Sequence, residues 1–402
     1  MIVIRDKKEC CGCNACRSIC PKACISMKSD EEGFLYPIVD SELCINCGLC
    51  EKVCPVLNQD SPRKPLKVYA AKNNSDEVRL ESSSGGIFSA IAEGIIENGG
   101  VVFGAKFDKD WNVVHAWTDT KDGLAQFRGS KYVQSIIGET YKEAETFLQQ
   151  GRTVLYSGTP CQIAGLRKYL RRDFDNLFTI DVVCHGVPSP LVWREYIKSL
   201  FGENGTIGKN LVLATQNPIC TITRISFRDK SKGWKNFCFK MGYTTSLISE
   251  STPSAAEINY YIEPFSLNMF MDGFLKNIYL RPSCYDCASK SGKSGSDVTI
   301  ADFWGVNNVY PELDDDKGIS AVLLNTDRIP LGKQVQLTTI RYEDVYASNS
   351  MIEQSVAEPK ERELFWREYP KQGIGIISKI CKKMAPSLLK RVFMAVKRRI
   401  GL

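Results

Sequence analysis

Eight of the 17 cysteines fall into two copies of one pattern near the start of the chain. Cys10, Cys13, Cys16 and Cys20 stand at C-x2-C-x2-C-x3-C, closed by Pro21. Cys44, Cys47, Cys50 and Cys54 repeat it, closed by Pro55. Thiolates at this spacing wrap a four-iron, four-sulfur cubane, and the fourth cysteine of each run crosses to the other cluster. The rule predicts Cys10, Cys13, Cys16 and Cys54 on one cluster and Cys44, Cys47, Cys50 and Cys20 on the other. A single C-x2-C pair would suit zinc equally well. Two complete runs, each ended by proline, argue for 4Fe-4S clusters and one-electron transfer.

Further along, Arg281-Pro282-Ser283-Cys284-Tyr285-Asp286-Cys287 offers two thiolates, which do not complete a site. Cys161, in Tyr156-Ser157-Gly158-Thr159-Pro160-Cys161-Gln162, and Cys184, in Cys184-His185-Gly186, each follow an expected strand and are the best placed to complete it. A third 4Fe-4S cluster on Cys161, Cys184, Cys284 and Cys287 is the expectation; a structural zinc on the same four, or an unmetallated pair, are the alternatives. Cys11, Cys24, Cys220, Cys238 and Cys381 have no partner spacing and read as spectators, with Cys24 packed beside a cluster. Ser82-Ser83-Ser84-Gly85-Gly86 opens an expected helix. It is either a phosphate-binding helix start or a simple serine cap. No G-x-G-x-x-G fingerprint or Walker lysine pattern occurs, which excludes a Rossmann or P-loop reading. His185, one of two histidines, is either a proton donor or a structural hydrogen-bond partner.

These groups need scaffolding, and 402 residues suffice for two or three domains. The chain has 43% hydrophobic and 24% charged residues, as a folded globular protein does. No signal peptide and no spanning stretch is visible, and clusters need reduced thiolates, so a cytoplasmic location is expected. After residue 370 there are nine Lys or Arg and no acid, more than the net charge of +6, so the rest of the chain is acidic. The apolar positions from Ile374 to Ile400 are interleaved with those cations. This reads either as an amphipathic helix on the inner face of a membrane or as a helix packed on its own body. No nucleic-acid partner is expected.

After a polar linker at 59–65, strands are expected at Val68–Ala71, Val101–Ala105, Thr153–Tyr156 and Phe178–Val183. They alternate with helices at Gly85–Glu97, Lys142–Gln150, Ile163–Arg171 and Pro190–Phe201, the pattern of an α/β core. Antiparallel strands are expected at Ile222–Phe227 and Phe237–Tyr243, a helix over Asn259–Lys276, and strands at Asp297–Ala301 and Ala321–Asn325.

Residues 66 to about 345 resemble the beta-subunit family of coenzyme F420 hydrogenase/dehydrogenase. The resemblance is carried by Ser84-Gly85-Gly86, Gly129-Ser130-Lys131-Tyr132, Gly158-Thr159-Pro160-Cys161-Gln162, Cys184-His185-Gly186, Arg281–Cys287 and Asp297–Gly305. It implies a non-Rossmann α/β flavin-binding domain behind a ferredoxin-like dicluster domain. Domains are expected at 1–60 (dicluster), 66–148 (FAD-binding part), 149–345 (third-cluster part) and 346–402 (basic tail). By position, Ser84, Gly85 and Gly86 would meet the FAD pyrophosphate, Lys131 and Tyr132 the flavin or its ribityl chain, and Gly158, Thr159 and Pro160 the isoalloxazine. His185 or Lys131 would supply a proton. The implied activity is an FAD-dependent iron–sulfur oxidoreductase that takes electrons from ferredoxin or a partner oxidoreductase subunit. It would pass hydride to deazaflavin F420 or another small organic acceptor. The fused dicluster module and basic tail suggest a self-contained bacterial form of the kind found beside cell-surface polysaccharide genes. The alternative is a non-catalytic electron-transfer subunit of a larger complex.

Overall fold

The computed structural model describes residues 1–202, 205–208, 219–246, 257–329 and 331–384. At the front, each cysteine run leads into a short helical turn, Ala15–Ile19 and Leu49–Lys52. Between them β1 (Ile25–Ser29) and β2 (Leu35–Val39) pair antiparallel, Ile25 opposite Val39. Both loops use left-handed backbone: φ is 70° at Gly12 and 68° at Asn14, and 51° at Asn46 and 72° at Gly48. Glycine and asparagine take this conformation at least cost, which lets so short a loop turn its cysteines inward. The linker is fastened to the body. The Arg63 amide donates to Ser291 O at 2.9 Å, and its guanidinium to Gly292 O at 2.9 Å and to Ser296 O.

The body is built on one eight-stranded mixed sheet. Its order is β13 (Val335–Thr339), β3 (Lys67–Asn73), β12 (Ser320–Leu324), β11 (Val298–Asp302), β7 (Leu177–Val182), β6 (Val154–Gly158), β4 (Val101–Phe107), β5 (Val113–Thr118). The β11-β7-β6-β4 centre is parallel and the remaining pairs are antiparallel. Side chains alternate between faces, as strands require. Val101, Phe103, Val154, Tyr156 and Leu177 pack with the helices Thr140–Gln149 and Pro160–Leu170. Val102, Leu155, Ile180, Val298 and Val322 pack with the helix Ile87–Glu97. The first face also receives the front module, through Cys13, Ala15 and Val53. Because β4 pairs with β6, a division at 148/149 runs through this sheet.

A second sheet, β8 (Ile219–Asp229), β9 (Cys238–Ser246) and β10 (Ile258–Pro264), is antiparallel in the order β10-β9-β8. It shares an aromatic core around Trp193, Phe227, Phe239 and Phe270 with the helices Pro190–Phe201, Met269–Leu275, Glu361–Gln372 and Gly375–Met384.

Four expectations change. Asn259–Lys276 is not one helix: its first part is β10, and the helix is confined to Met269–Leu275. The β-branched and aromatic run Ile258–Ile262 suits a strand, and Pro264 separates the two elements. The serine cap is absent: Ser82 closes the helix Asp76–Glu81, and the next helix starts from Gly86, left-handed with φ of 80°. Strands β5 and β13 carry no sequence signal of their own and are added by the structure. Of the basic tail, residues 385–402 lie outside the described residues. Residues Gly375–Met384 are a helix whose Ile376, Ile377 and Ile380 are buried in the body while Lys379, Lys382 and Lys383 face solvent. In that stretch the packed reading holds. No helix among the described residues is long and apolar enough to cross a membrane.

Candidate redox site

The front thiols ring two small hollows. Cys10, Cys13, Cys16 and Cys54 line one, with Ile2, Ile4 and Val56 among its walls. Cys20, Cys44, Cys47 and Cys50 line the other. This is the crossed partition expected from the spacing. A zinc site would draw its sulfurs to within about 4 Å of one another around a single point. Soft donors spread around a hollow fit a cubane. Burial, with Cys10 and Cys54 nearby, pushes the Cys16 thiol up to about 12, so a bound metal must displace its proton. The Ile2 amide donates to Cys50 Sγ at 3.3 Å. Cys24 packs 3.3 Å from Cys20, as expected.

An inner thiol set follows from the sheet. Strands β6 and β7 are parallel neighbours, Gly158 opposite Asp181, so their C-terminal ends deliver Cys161 and Cys184 side by side. A bridge between Pro188 and Leu280 brings up the 3-10 turn Pro282–Asp286, which carries Cys284 and leads to Cys287. The four thiols are electrostatic neighbours. Burial pushes Cys184 up to about 12. The Val187 amide donates to Cys284 Sγ at 3.4 Å, and Thr159 Oγ1 lies 3.3 Å from Cys161 Sγ. Lys290, 7% exposed, donates to Cys184 O at 2.5 Å and to Met351 O at 2.6 Å. The donor set fits a third cluster.

Cys11, read as a spectator, lies against both Cys13 and Cys161, between the first front hollow and the inner set. Gly165 permits this approach, since a Cβ there would sit 2.8 Å from Cys13 Cβ. Arg281, 1% exposed, reaches from the inner turn to the front. It donates to Cys10 O at 2.7 Å and to Leu35 O at 3.0 Å.

The residues assigned to flavin gather beside the C-terminal ends of the strands. The Ser130 amide donates to Ser83 Oγ at 2.6 Å, tying the Gly129–Tyr132 loop to the start of the Ile87–Glu97 helix. A Cβ at Gly85 would stand 2.4 Å from Ala71 O, so only glycine fits. Ser84 Oγ donates to Ile319 O at 2.7 Å, and the Gly85 amide to Ser320 Oγ at 3.0 Å. Both are therefore engaged within the protein. Among the described residues the first turn after Gly86 has no side-chain cap, so its amides keep the donor capacity that a helix start offers an anion. Two cations missed from sequence brace this loop: Arg228 donates to Ser83 O at 3.1 Å, and Lys230 to Ser84 O at 2.8 Å. Arg228 also pairs with Asp302 at 2.8 Å and donates to Tyr132 Oη at 3.1 Å.

Among the described residues Lys131 Nζ meets only the carbonyls of Arg128, at 2.9 Å, and Gly129, at 3.1 Å, and burial lowers its pKa to about 7. A buried amine that has no carboxylate partner among the described residues would gain its proton, and a counter-charge, from a pyrophosphate-bearing cofactor such as FAD. A Cβ at Gly158 would press on Gln162 at 3.1 Å and lie 3.6 Å from His115 Nε2. Thr159 and Pro160 begin the following helix, with the Thr159 amide donating to Gln162 Oε1 at 2.9 Å. His185 Nε2 is 2.6 Å from Asn277 Oδ1, the structural hydrogen bond of the two readings. His115 is a further residue without a sequence signal: its Nε2 meets Ser157 O at 3.1 Å, while its buried Nδ1 has no partner among the described residues.

Fold and thiol rings together define an iron–sulfur electron-transfer protein. A 4Fe-4S dicluster domain matches residues 9–58. The N-terminal and C-terminal models of the coenzyme F420 hydrogenase/dehydrogenase beta subunit match residues 68–139 and 151–331, together more than half of the chain. The chain belongs to that beta-subunit family. It is 30% identical over 139 residues to the coenzyme F420-dependent sulfite reductase of Methanocaldococcus jannaschii. That match takes in 34% of this chain and 21% of the relative. A chain of the F420-reducing NiFe hydrogenase complex from Methanosarcina barkeri, solved with xenon derivatization, aligns over 81% of this chain and 94% of its own length. Its identity is 17% and its TM-score 0.40.

Proposed function

We propose that this chain is an FAD-dependent iron–sulfur oxidoreductase that relays electrons from ferredoxin or a partner oxidoreductase to a small organic acceptor, deazaflavin F420 or another. The observation that carries the reading is the contiguity of the thiols. The second-run hollow adjoins the first, and the first meets the inner set through Cys11. The inner set in turn stands beside Gly158, Thr159 and Pro160. When bound, the clusters supply one-electron steps and FAD supplies the pairing needed for hydride transfer.

The protein's own contributions are positional. Arg228 and Lys230 fix the Ser83–Gly86 turn, so the helix-start amides and Lys131 present a preformed cationic edge to a pyrophosphate. Lys131, at about 7, can hold or release a proton near neutral pH, whereas His185 is engaged by Asn277. Electrons enter at the second run, where Cys47 is exposed and Leu43, Ile45 and Leu57 are 56%, 57% and 60% exposed. That apolar patch also supports the second reading, a non-catalytic subunit docked in a larger redox complex.

Anaerobic purification with iron, sulfide and flavin quantification tests the proposal. About 12 iron atoms and one FAD per chain are expected from three four-iron clusters and one flavin. About eight iron atoms would remove the inner cluster, and colourless protein would overturn the whole reading. FAD-loaded protein that reduces no acceptor without a partner chain would establish the subunit reading.

A further inference from the structure

Arg281 is a buried cation with an unusual set of partners. Its guanidinium donates to Cys10 O at 2.7 Å, Gln134 Oε1 at 2.9 Å, Leu35 O at 3.0 Å and Cys10 Sγ at 3.5 Å. It lies over the Tyr36 ring at 4.3 Å. Among the described residues no carboxylate comes within ion-pair distance, although Arg79, Arg228 and Arg362 each have one. A buried charge needs a counter-charge. The ionisable groups that face Arg281 are Cys10, Tyr36 and Cys11 on one side and Cys284 on the other, so a counter-charge arrives only with a thiolate-bound cluster. The second run has no equivalent, for none of its four thiols hydrogen-bonds an Arg or Lys among the described residues.

We propose that Arg281 is a positioning residue that raises the reduction potential of the first-run cluster above that of the second, and so draws electrons from the exposed run toward the body. A fixed cation beside a cluster favours the state carrying one more negative charge, and low dielectric makes the effect large. Arg281 also opens the turn that bears Cys284 and Cys287, so the same side chain sets the spacing between the first hollow and the inner thiols. The inference rests on the first-run cluster alone. It needs neither the flavin nor the acceptor of the proposed function.

The test is an anaerobic redox titration of the full chain, followed by electron paramagnetic resonance, with iron counted in each sample. In Arg281→Gln the first-run wave is expected to fall by at least tenfold in reduced-to-oxidised ratio, 59 mV for a one-electron couple. The second-run wave should stay in place, and Arg281→Lys should recover most of the shift. If Arg281→Gln loses iron, Gln134→Glu decides: its carboxylate sets a counter-charge beside the guanidinium, at the loss of the Gln134 Nε2 bond to Cys11 O at 3.0 Å, and should produce a fall in the same direction. An unmoved first-run wave in either iron-replete variant overturns the proposal. So does an Arg281→Lys protein that matches Arg281→Gln. A preparation with eight iron atoms and no flavin would defeat the proposed function while leaving this measurement intact.

Discussion

At the third position of its loop the first cysteine run has Gly12 where the second has Asn46. At the fifth position the order reverses, Asn14 against Gly48, and all four backbones are left-handed. The second position differs most: Cys11 points inward to Cys161, while Ile45 is 57% exposed. A Cβ on Gly12 would strike the Arg281 guanidinium at 2.7 Å and Gln134 at 2.9 Å, whereas one on Gly48 would meet nothing within 4 Å. Asn14 spends its amide on Gly138 O at 2.7 Å, a contact with the body. The same local motif has thus been fitted to two environments. One copy is pressed into the protein, and the other is left open to whatever approaches.

Exchanging residues between the copies tests that contrast. Gly12→Asn, which installs the residue of the other run, should show the largest effect. Overpacking of about 1–3 kcal/mol under Arg281 displaces the loop, and about four iron atoms are lost. Asn46→Gly, the reverse exchange, should keep all its iron and change stability by less than about 1 kcal/mol. Chemical denaturation with iron analysis reads both.

Acid should separate body from front next, because both histidines lie in the body. Burial lowers His115 from 6.5 to about 4. The unfolded chain takes up a proton as pH drops below 6.5, and the native state resists until about 4. The stability is therefore complete above 6.5 and declines by ~3 kcal/mol on the way to pH 4. Urea melts across that window should show the slope, and His115→Asn should flatten it.

The smallest expected effect is at the open copy. Leu43→Ser with Ile45→Ser should leave iron unchanged and stability within about 0.5 kcal/mol. Reduction by a protein donor should slow several-fold while reduction by dithionite is unaffected. Equal rates with the protein donor would remove the patch from the electron-entry reading.

The front sites were legible in sequence because their information is local: ligands lie two or three residues apart, and a fixed rule partitions them. That Cys161 and Cys184 come together was legible because the ends of neighbouring parallel strands are where α/β proteins collect side chains. Arg281 was named only as part of a motif. Its contact with Cys10 spans 271 positions, and no periodicity announces such a pairing. Cys11 was set aside for want of partner spacing, yet its partner Cys161 comes from a distant helix. Lys230 carries three carbonyl contacts that only the folded loop creates. Edge strands β5 and β13 lack the continuous apolar runs that marked the central strands. In β13, Gln336, Leu337, Thr338 and Thr339 are all exposed.

The fastened linker has a kinetic consequence. With Arg63 gripping Ser291, Gly292 and Ser296, the metal-bearing head cannot drift away and must serve the body it is joined to. Delivery from head to body is then a first-order event. Its rate should be indifferent to dilution, in contrast to a free carrier that must find its target by collision.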